Sequence, residues 1–560
     1  MSLDRAALVA AAEAWLAQDP DADTRAETSA LLERIEAGDT AAELELAGRF
    51  GTRLSFGTAG LRGALGAGPN RMNRVLVGQA AAGFGRFLLE RASNPTVVVG
   101  YDGRVNSDVF ARDSAEIFAG MGLRAILLPR LLPTPVLAFA VRHLGADAGV
   151  MVTASHNPPE DNGYKVYLGG ADQGSQIVAP DDATIAAHIA AVAESVRFDD
   201  HPRGSFEIAE ESVVEAYVTA TARLIRSGAT AVPFVYTAMH GVGAETFLRV
   251  LDAAGLPHPE LVAEQATPDG RFPTVAFPNP EEPGALDLAF ATAERSGAPL
   301  IVAHDPDADR LAIAIPDGAG SYRRLSGNEL GLLLGWKVAR EQSRAAGDGA
   351  PSGTLACSMV SSPGLREVAR AYQLDFQETP TGFKWISRAD HLVFGFEEAL
   401  GYLVNPADVR DKDGISAAAA FLDLASELAA AGSTVAEHLD AFVEQFGCFA
   451  SAQVSVRVTD LSRIADTMAR LRAEPPTALG THRVDRVEDL AEGLGELPPA
   501  DVLRIWLQDG SRVMVRPSGT EPKLKVYIDA AATHGSVAER RRAAEATVAE
   551  LEAAMRALVA

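Results

Sequence analysis

AGVMVTASHNPPEDNGYKVYL, residues 148–168, holds the pattern from which the rest of the chain is read. Its first five residues are an unbroken apolar, β-prone run, which predicts a strand. At Thr153 the character changes. Ser155, His156 and Asn157 stand together, two prolines follow, and Asn162-Gly163 leads back to Lys165. Reactive groups commonly occupy such loops, held by a rigid scaffold. A Pro/Asn/Gly turn between two strands is the plainer reading of this stretch taken alone.

Working outward, strands and helices alternate. Upstream, residues 96–100 (TVVVG) read as a strand, 108–121 as a helix and 124–128 (RAILL) as a strand. A second block starts near 210, with strand 233–239, helices 243–255 and 284–296, and strand 299–303. A third runs from about 320, with helix 326–343, strand 354–359, helices 363–372 and 381–390, strand 391–396 and helix 414–430. Alternation of this kind predicts βαβ units and mixed or parallel sheets. The last part changes again, to strands 453–458, 502–507, 511–517 and 523–529 with helices 460–473 and 536–558, a smaller α+β pattern. Residues 344–353 read as a surface loop and 474–500 as irregular. The division that follows is 1–50, an N-terminal helical extension; 51–208, 209–320 and 321–446, three similar α/β domains; and 447–560, a smaller C-terminal α+β domain. No clear sequence repeat links the three.

A chain of 560 residues exceeds what one core supports, consistent with that division. No apolar run approaches the roughly 18 residues of a membrane span. The opening MSLDRAALVAAAEAWL reads as an amphipathic helix without the basic start and cleavage site of a signal peptide. Cys357 and Cys448 provide neither a disulfide framework nor metal spacing. A cytoplasmic location is the expectation. The net charge of −25 argues against nucleic acid and anionic membranes as partners. Only six of the 50 basic residues are Lys, and five of the six, Lys165, Lys384, Lys412, Lys523 and Lys525, fall inside the motifs discussed here. A compact, titratable ammonium is what Lys offers over Arg.

The second informative stretch is DPDADR, 305–310, after the apolar PLIVAH. Asp305, Asp307 and Asp309 at i, i+2 and i+4 share one face of an extended segment. Three carboxylates on one face repel unless a cation joins them, and hard oxygen ligands select Mg²⁺ or Ca²⁺. An EF-hand loop is excluded, because its sixth position is Arg310 rather than Gly and its twelfth is Pro316 rather than Glu. The open coordination positions of such a site suit a phosphate, and one carried by Ser155 fits. The third stretch is RPSGTEPKLKVY, 516–527, in which Arg516 is a planar fork for phosphate, Ser518 and Thr520 add hydroxyls, Gly519 exposes backbone N–H groups, and Lys523 and Lys525 lie close by. The fourth is GFEEALGY, 395–402, where Glu397 and Glu398 end a strand and can hold sugar hydroxyls. TPTGFKW at 379–385 and RDKDG at 410–414 each set a lysine, Lys384 and Lys412, in a turn. No G-x-x-x-x-G-K-[ST] occurs, which argues against a P-loop nucleotide site.

These loops, in this order, resemble the α-D-phosphohexomutase superfamily. TASHNPPEDNGYK, DPDADR, GFEEALGY and RPSGTEPK carry the likeness, with FGTAGLRG at 56–63 and GYDGR at 100–104 as further matches. GFEEALGY, TGFKW and TAMHGVG (237–243) look most similar to the phosphoglucomutase-2 and phosphopentomutase branch. The resemblance implies three related α/β domains and a smaller C-terminal domain around a central cleft. It implies a Mg²⁺-dependent enzyme, cytoplasmic, monomeric or homodimeric, that moves phosphate between carbon 1 and the terminal carbon of a small phosphosugar, with glucose 1,6-bisphosphate or an equivalent as intermediate and activator. By motif, Ser155 is the phosphoserine, and Asp305, Asp307 and Asp309 with a phosphoserine oxygen hold the metal. Arg310 pairs with that phosphate and Arg62 faces the reacting groups. Glu397, with Glu398 and Lys384 beside it, contacts the sugar. Arg516, Ser518, Gly519 and Thr520 clamp the phosphate that is not reacting.

One departure stands out. Many hexose-selective relatives read Glu-x-Ser in the sugar loop, where this chain has Ala399. A missing hydroxyl contact alters selectivity. Glucose 1-phosphate to glucose 6-phosphate is the first expectation, with mannose and pentose phosphates as alternatives. Lys165, His156 and Lys412 are the candidates for the proton-transfer groups. A phosphatase using the same serine and a catalytically silent phosphosugar-binding protein are the rival readings.

Overall fold

In the computed structural model, which describes residues 5–57, 60–226, 228, 230–458, 462–495, 497–517 and 523–559, the apolar run at 148–152 is the fully buried strand Ala148–Val152. It belongs to a seven-stranded mixed sheet. Thr96–Tyr101 pairs in parallel with Ala148–Val152 on one side and Arg124–Leu127 on the other. Asp161–Leu168 returns antiparallel to Ala148–Val152, and Leu61–Ala64 pairs antiparallel with it in turn. Helices Arg74–Arg91, Ser107–Gly120 and Asp181–Ser195 contribute Phe84, Phe110 and Ile185 to one core with Val97, Val99 and Val150. Strands covered in this way read as continuous apolar runs, which is why they are legible in the sequence.

Helix Arg74–Arg91 is not legible. Its interior glycines lower helix propensity, yet close packing demands one of them, since a Cβ on Gly83 would lie 2.6 Å from Ile189. The extension at 1–50 is helical, Arg5–Leu16, Ala22–Glu36 and Thr40–Phe50, with Asp21 and Asp39 as side-chain N-caps. Its Leu8, Trp15, Leu31, Leu46 and Phe50 pack on Val75 and Phe198 of the first domain.

The second sheet orders Leu311–Pro316, Ile301–His304, Val235–Thr237 and Glu260–Leu261, and Tyr322–Arg324 joins its edge where the chain leaves the first of two units. That unit spans residues 1–323 with 405–423, and the second spans 324–404 with 424–560. The second unit holds a four-stranded mixed sheet, Asp375–Thr379, Thr354–Ser358, Leu392–Glu397 and Gly401–Leu403, and a six-stranded antiparallel sheet built on Cys448–Arg457, Lys523–Ala532, Arg512–Pro517 and Leu503–Leu507.

The repeat invisible in the sequence is visible in the backbone. In each of the three mixed sheets a parallel strand ends, a polar loop follows, and the next strand returns antiparallel: 152 to 161, 304 to 311, and 397 to 401. Each loop contains a left-handed residue, Ser155 (φ 53°), Ala308 (φ 54°) and Leu400 (φ 62°).

Three sequence expectations need correction. The helix expected at 381–390 is only Phe383–Ile386. The region 474–500 contains the strands Ala478–Leu479 and His482–Asp489. The latter has no buried position and six polar or charged residues of eight, a composition that reads as loop. The aspartates of DPDADR do not lie on an extended segment. A turn closed by Ala308 N–H donating to Asp305 O (2.9 Å) gathers them. Among the described residues no single helix is long and apolar enough to cross a membrane.

Candidate active site

Ser155 sits in the strand-to-strand loop with its hydroxyl donating to Asp305 Oδ2 at 2.9 Å and lying 3.2 Å from His156 Nδ1. Its left-handed backbone is a conformation a non-glycine residue keeps only where its surroundings hold it. Here Arg104 does so. Its guanidinium donates to the carbonyls of Ser155 (2.6 Å), Asn157 (2.6 Å), Pro158 (2.8 Å) and Asp161 (3.0 Å), while the ring of Phe272 stacks 4.9 Å from it. From below, Asp102 accepts from Thr153 Oγ1 at 2.6 Å, and that hydroxyl accepts from Ser155 N–H at 2.8 Å. Arg62 Nη1 donates to Asn157 Oδ1 at 3.1 Å.

The three aspartates are wholly buried, with ligand oxygens all within 4.8 Å of one another. Lys165 Nζ donates to Asp307 Oδ2 at 2.7 Å and Asp309 Oδ2 at 2.8 Å. Thr134 Oγ1 also donates to Asp307 Oδ2, at 2.6 Å. Lys412 Nζ lies 3.2 Å from Asp309 Oδ2, and Arg310 Nε 3.7 Å from Asp309 Oδ1. The Oδ1 atoms of Asp307 and Asp309 are buried and accept no hydrogen bond. Buried carboxylate oxygens without donors are costly. Their hardness and convergence fit a Mg²⁺-type cation.

The electrostatics separate the three acids. Burial and the neighbouring Asp307 and Asp309 charges push Asp305 well above the ordinary carboxylate range. Burial acts the same way on Asp309, but Lys165, Lys412 and Arg310 outweigh it and hold that carboxyl below its ordinary value. Burial would lower Lys165, yet Asp307 and Asp309 raise it, so it is a fixed cation. His156 is driven well down by burial, Arg310 and Arg62, and is a neutral imidazole. A cluster of Arg62, Arg104, Lys165, Arg310 and Lys412 thus makes a local basic site in an acidic protein.

Lys412 arrives on the segment 405–423, which returns to the first unit. Asp411 accepts from Tyr167 Oη (2.9 Å) and Gln176 Nε2 (2.7 Å), and Asp413 accepts from Tyr217 Oη (2.9 Å). Gly414 donates to Ala308 O at 3.2 Å. Only a glycine can lie there, because a Cβ would stand 2.2 Å from Arg310 O. Burial holds His304 at a pKa of about 4, so its neutral ring donates from Nε2 to Gly414 O (3.0 Å) and accepts at Nδ1 from Tyr236 Oη (2.9 Å).

The second unit carries the other expected residues. Glu397 ends its strand and Glu398 begins the turn. Glu398 is gripped from within the domain, with Oε2 3.0 Å from Ser361 Oγ and 3.1 Å from Ser358 Oγ. Lys384 lies in the short helix after the strand Asp375–Thr379. Arg516 is the penultimate residue of the strand Arg512–Pro517 and hydrogen-bonds Tyr527, whose phenol is raised first by burial and then by the charges of Glu398 and Glu397. Glu397, Glu398 and Arg516 therefore all surround Tyr527 in this unit. Ser518, Gly519 and Thr520 lie outside the described residues. Sequence reasoning quoted the GYDGR motif without seeing that Arg104 organises the serine loop, and it missed Thr134 and Ser361 altogether.

Family comparisons agree with this geometry. Four descriptions match in order: phosphoglucomutase/phosphomannomutase alpha/beta/alpha domain I over 53–195, domain II over 215–318, domain III over 326–446, and the C-terminal domain over 454–549. A Haemophilus influenzae protein named Probable phosphomannomutase is 53% identical over 460 residues, 82% of this chain and 93% of its own length. The human Phosphopentomutase is 36% identical over 543 residues, 88% and 87% of the two chains. A solved phosphoglucomutase/phosphomannomutase family protein from Burkholderia thailandensis shares the fold with a TM-score of 0.68 at 20% identity, covering 90% of this chain and 98% of that one. Four matched domains in order, each carrying its motif loop, place this chain in the α-D-phosphohexomutase superfamily, as a phosphosugar mutase that shifts phosphate within its substrate.

Proposed function

We propose that the protein is a cytoplasmic, Mg²⁺-dependent mutase that interconverts glucose 1-phosphate and glucose 6-phosphate through a phosphorylated Ser155 and a sugar bisphosphate. The observation that carries this reading is the Ser155 hydroxyl, set by a left-handed backbone 2.9 Å from Asp305 beside two further buried carboxylates. Asp305, Asp307 and Asp309 hold Mg²⁺, which when bound supplies positive charge to the phosphoryl oxygens. Phosphoryl transfer asks the protein mainly for positioning and charge neutralisation.

In the forward half-reaction the phosphorus–oxygen bond to Ser155 breaks as one forms to the free sugar hydroxyl. The hydroxyl proton leaves to a base, and the Ser155 oxygen regains a proton. Lys165 serves as a fixed cation on Asp307 and Asp309, and Lys412 stands 3.2 Å from Asp309 Oδ2 beside it. The neutral His156 ring, 3.2 Å from Ser155 Oγ, is the proton carrier in this reading. Arg310 and Arg62 face the phosphate. The bisphosphate then presents its other phosphate, and the steps reverse. Glu397 contacts sugar hydroxyls, while Arg516, with Ser518, Gly519 and Thr520, clamps the idle phosphate. The domain limits 51–208, 209–320, 321–446 and 447–560 divide the work into serine loop, metal loop, sugar loop and clamp.

A pentose reading is favoured by Ala399 in place of a loop hydroxyl and by the similarity to a protein named Phosphopentomutase. The test is a parallel assay of glucose, mannose, ribose and deoxyribose 1-phosphates with Mg²⁺ and a trace of glucose 1,6-bisphosphate. Fastest turnover of the glucose ester supports the first reading. Fastest turnover of a pentose ester replaces it with the second. Release of inorganic phosphate without any terminal phosphate ester overturns both in favour of a phosphatase.

A further inference from the structure

The C-terminal sheet has two faces, and only one is its own core. Along Arg512–Pro517, side chains alternate between faces. Val513 and Val515 enter the domain core with Ile505, Val526 and Ile528. Arg512, Met514 and Arg516 point the other way. Met514 and its cross-strand partner Tyr527 pack with Met359 and Val360, which belong to the domain of the sugar loop. Arg516, the proposed phosphate clamp, therefore stands on the face that meets that domain.

The same face carries a buried charge network. Arg512 is 1% exposed. Its Nε donates to Asp529 at 2.8 Å and its Nη1 to Glu378 at 3.0 Å, while Nη2 donates to the carbonyl of Ser361. Arg504 reaches the other Glu378 oxygen at 3.1 Å. Asp529 in turn accepts from Ser451 Oγ at 2.6 Å, and Asn328 Nδ2 donates to that hydroxyl at 3.0 Å. Asn328 Oδ1 accepts from Ser362 N–H at 2.8 Å. Ser361 is the joint. Arg512 holds its carbonyl. Its hydroxyl donates to Glu398 Oε2 and accepts from Glu398 N–H, both at 3.0 Å.

We propose that Ser361, held by Arg512, is a positioning residue that locks the sugar loop to the phosphate clamp, so that sugar and phosphate are recognised as one rigid spacing. The idea rests on the reading of Glu397 and Arg516 as substrate contacts. Breaking buried charge networks is expensive, and directional forks such as Arg512 fix geometry as well as charge. The loop lacks a hydroxyl at Ala399, and the Ser358–Ser361 pair, 2.8 Å apart, stabilises its carboxylate neighbour from behind instead. A spacing fixed in this way sets the length of sugar that fits.

The test is a double-mutant cycle on Ser361→Ala and Arg516→Ala, read as KM and kcat for glucose 1-phosphate and ribose 1-phosphate. Ser361→Ala keeps the carbonyl and removes the hydroxyl. The expected result is a rise in KM of about tenfold, from loss of hydrogen bonds to a charged group. A smaller change in kcat and a changed hexose-to-pentose ratio are expected with it. Coupling predicts that the double variant's KM falls short of the product of the two single effects by at least about threefold. Multiplicative effects, or an unchanged sugar ratio, overturn the proposal. Should Ser361→Ala not fold, Glu378→Gln in the same cycle reads the same lock, with the same two outcomes. Failure of the wild type to turn over any sugar phosphate would instead strike at the mutase reading, which is a separate result.

Discussion

At the residue scale the proposed chemistry turns on one hydroxyl. Ser155 Oγ is buried and bonded to Asp305, so Ser155→Ala removes the proposed phosphate carrier and one hydrogen bond. Loss of a covalent nucleophile should lower kcat by at least about a thousandfold. The stability change should stay near 1 kcal/mol, the net worth of a single hydrogen bond. Mass spectrometry after incubation with glucose 1,6-bisphosphate should find a phosphoryl group on the wild-type peptide 153–165 and none on the variant. Turnover that survives the substitution would place the phosphate carrier elsewhere. Ser155 and the three aspartates were legible because each motif concentrates chemistry in a few contiguous residues. Arg104, Thr134 and Ser361 were not, because the site residues they hold, Ser155, Asp307 and Glu398, lie 37 or more residues away in the chain and no local pattern announces them.

Elements explain why that hydroxyl is where it is. The three parallel-to-antiparallel connections were half legible. The strands showed as apolar runs, but the turn that gathers Asp305, Asp307 and Asp309 depends on the left-handed Ala308, which sequence spacing does not reveal. The serine loop depends on Arg104, whose four carbonyl contacts need a planar fork. Arg104→Lys keeps the charge and loses the fork. Slight misplacement of a reacting group can reduce rate about a hundredfold. We therefore expect kcat to fall between about tenfold and about a hundredfold, with faster amide exchange in residues 155–161. Unchanged exchange and rate would mean that the loop holds its shape without Arg104. The returning segment 405–423 offers a pH test. Burial raises Asp413 from 3.8 to about 6. An acid with a raised folded pKa binds protons more tightly when folded. Its contribution to stability is complete below pH about 4 and is lost as pH rises through about 6. The span corresponds to about 3 kcal/mol. Asp413→Asn should flatten urea-unfolding stability between those two pH values relative to wild type, and parallel curves for the two proteins would refute the assignment.

For the whole molecule, the division of labour between units becomes measurable. Ser155, the three aspartates, Lys165, Arg310 and Lys412 all belong to the first unit, although residues 324–404, which build part of the second, separate Lys412 from the rest. That excursion is why the sequence, read block by block, assigns Lys412 to the third domain while the fold delivers it to the aspartate turn. The second unit holds Glu397 and Arg516 and no clustered acidic site among its described residues. A ligand that binds only the folded state stabilises it by about 2.7 kcal/mol at a hundredfold excess over its Kd. Mg²⁺ should therefore protect amides around 301–316 from exchange and raise the thermal transition reported by those peptides by a few degrees. Peptides from the strand Arg512–Pro517 should respond much less. EDTA should reverse the shift, and Asp307→Asn should abolish it while sparing the fold, since Asn keeps the volume and relieves repulsion among the buried carboxylates. Equal protection of both units by Mg²⁺ would place a metal site outside the aspartate turn. Protection that persists in Asp307→Asn would remove that residue from the ligand set.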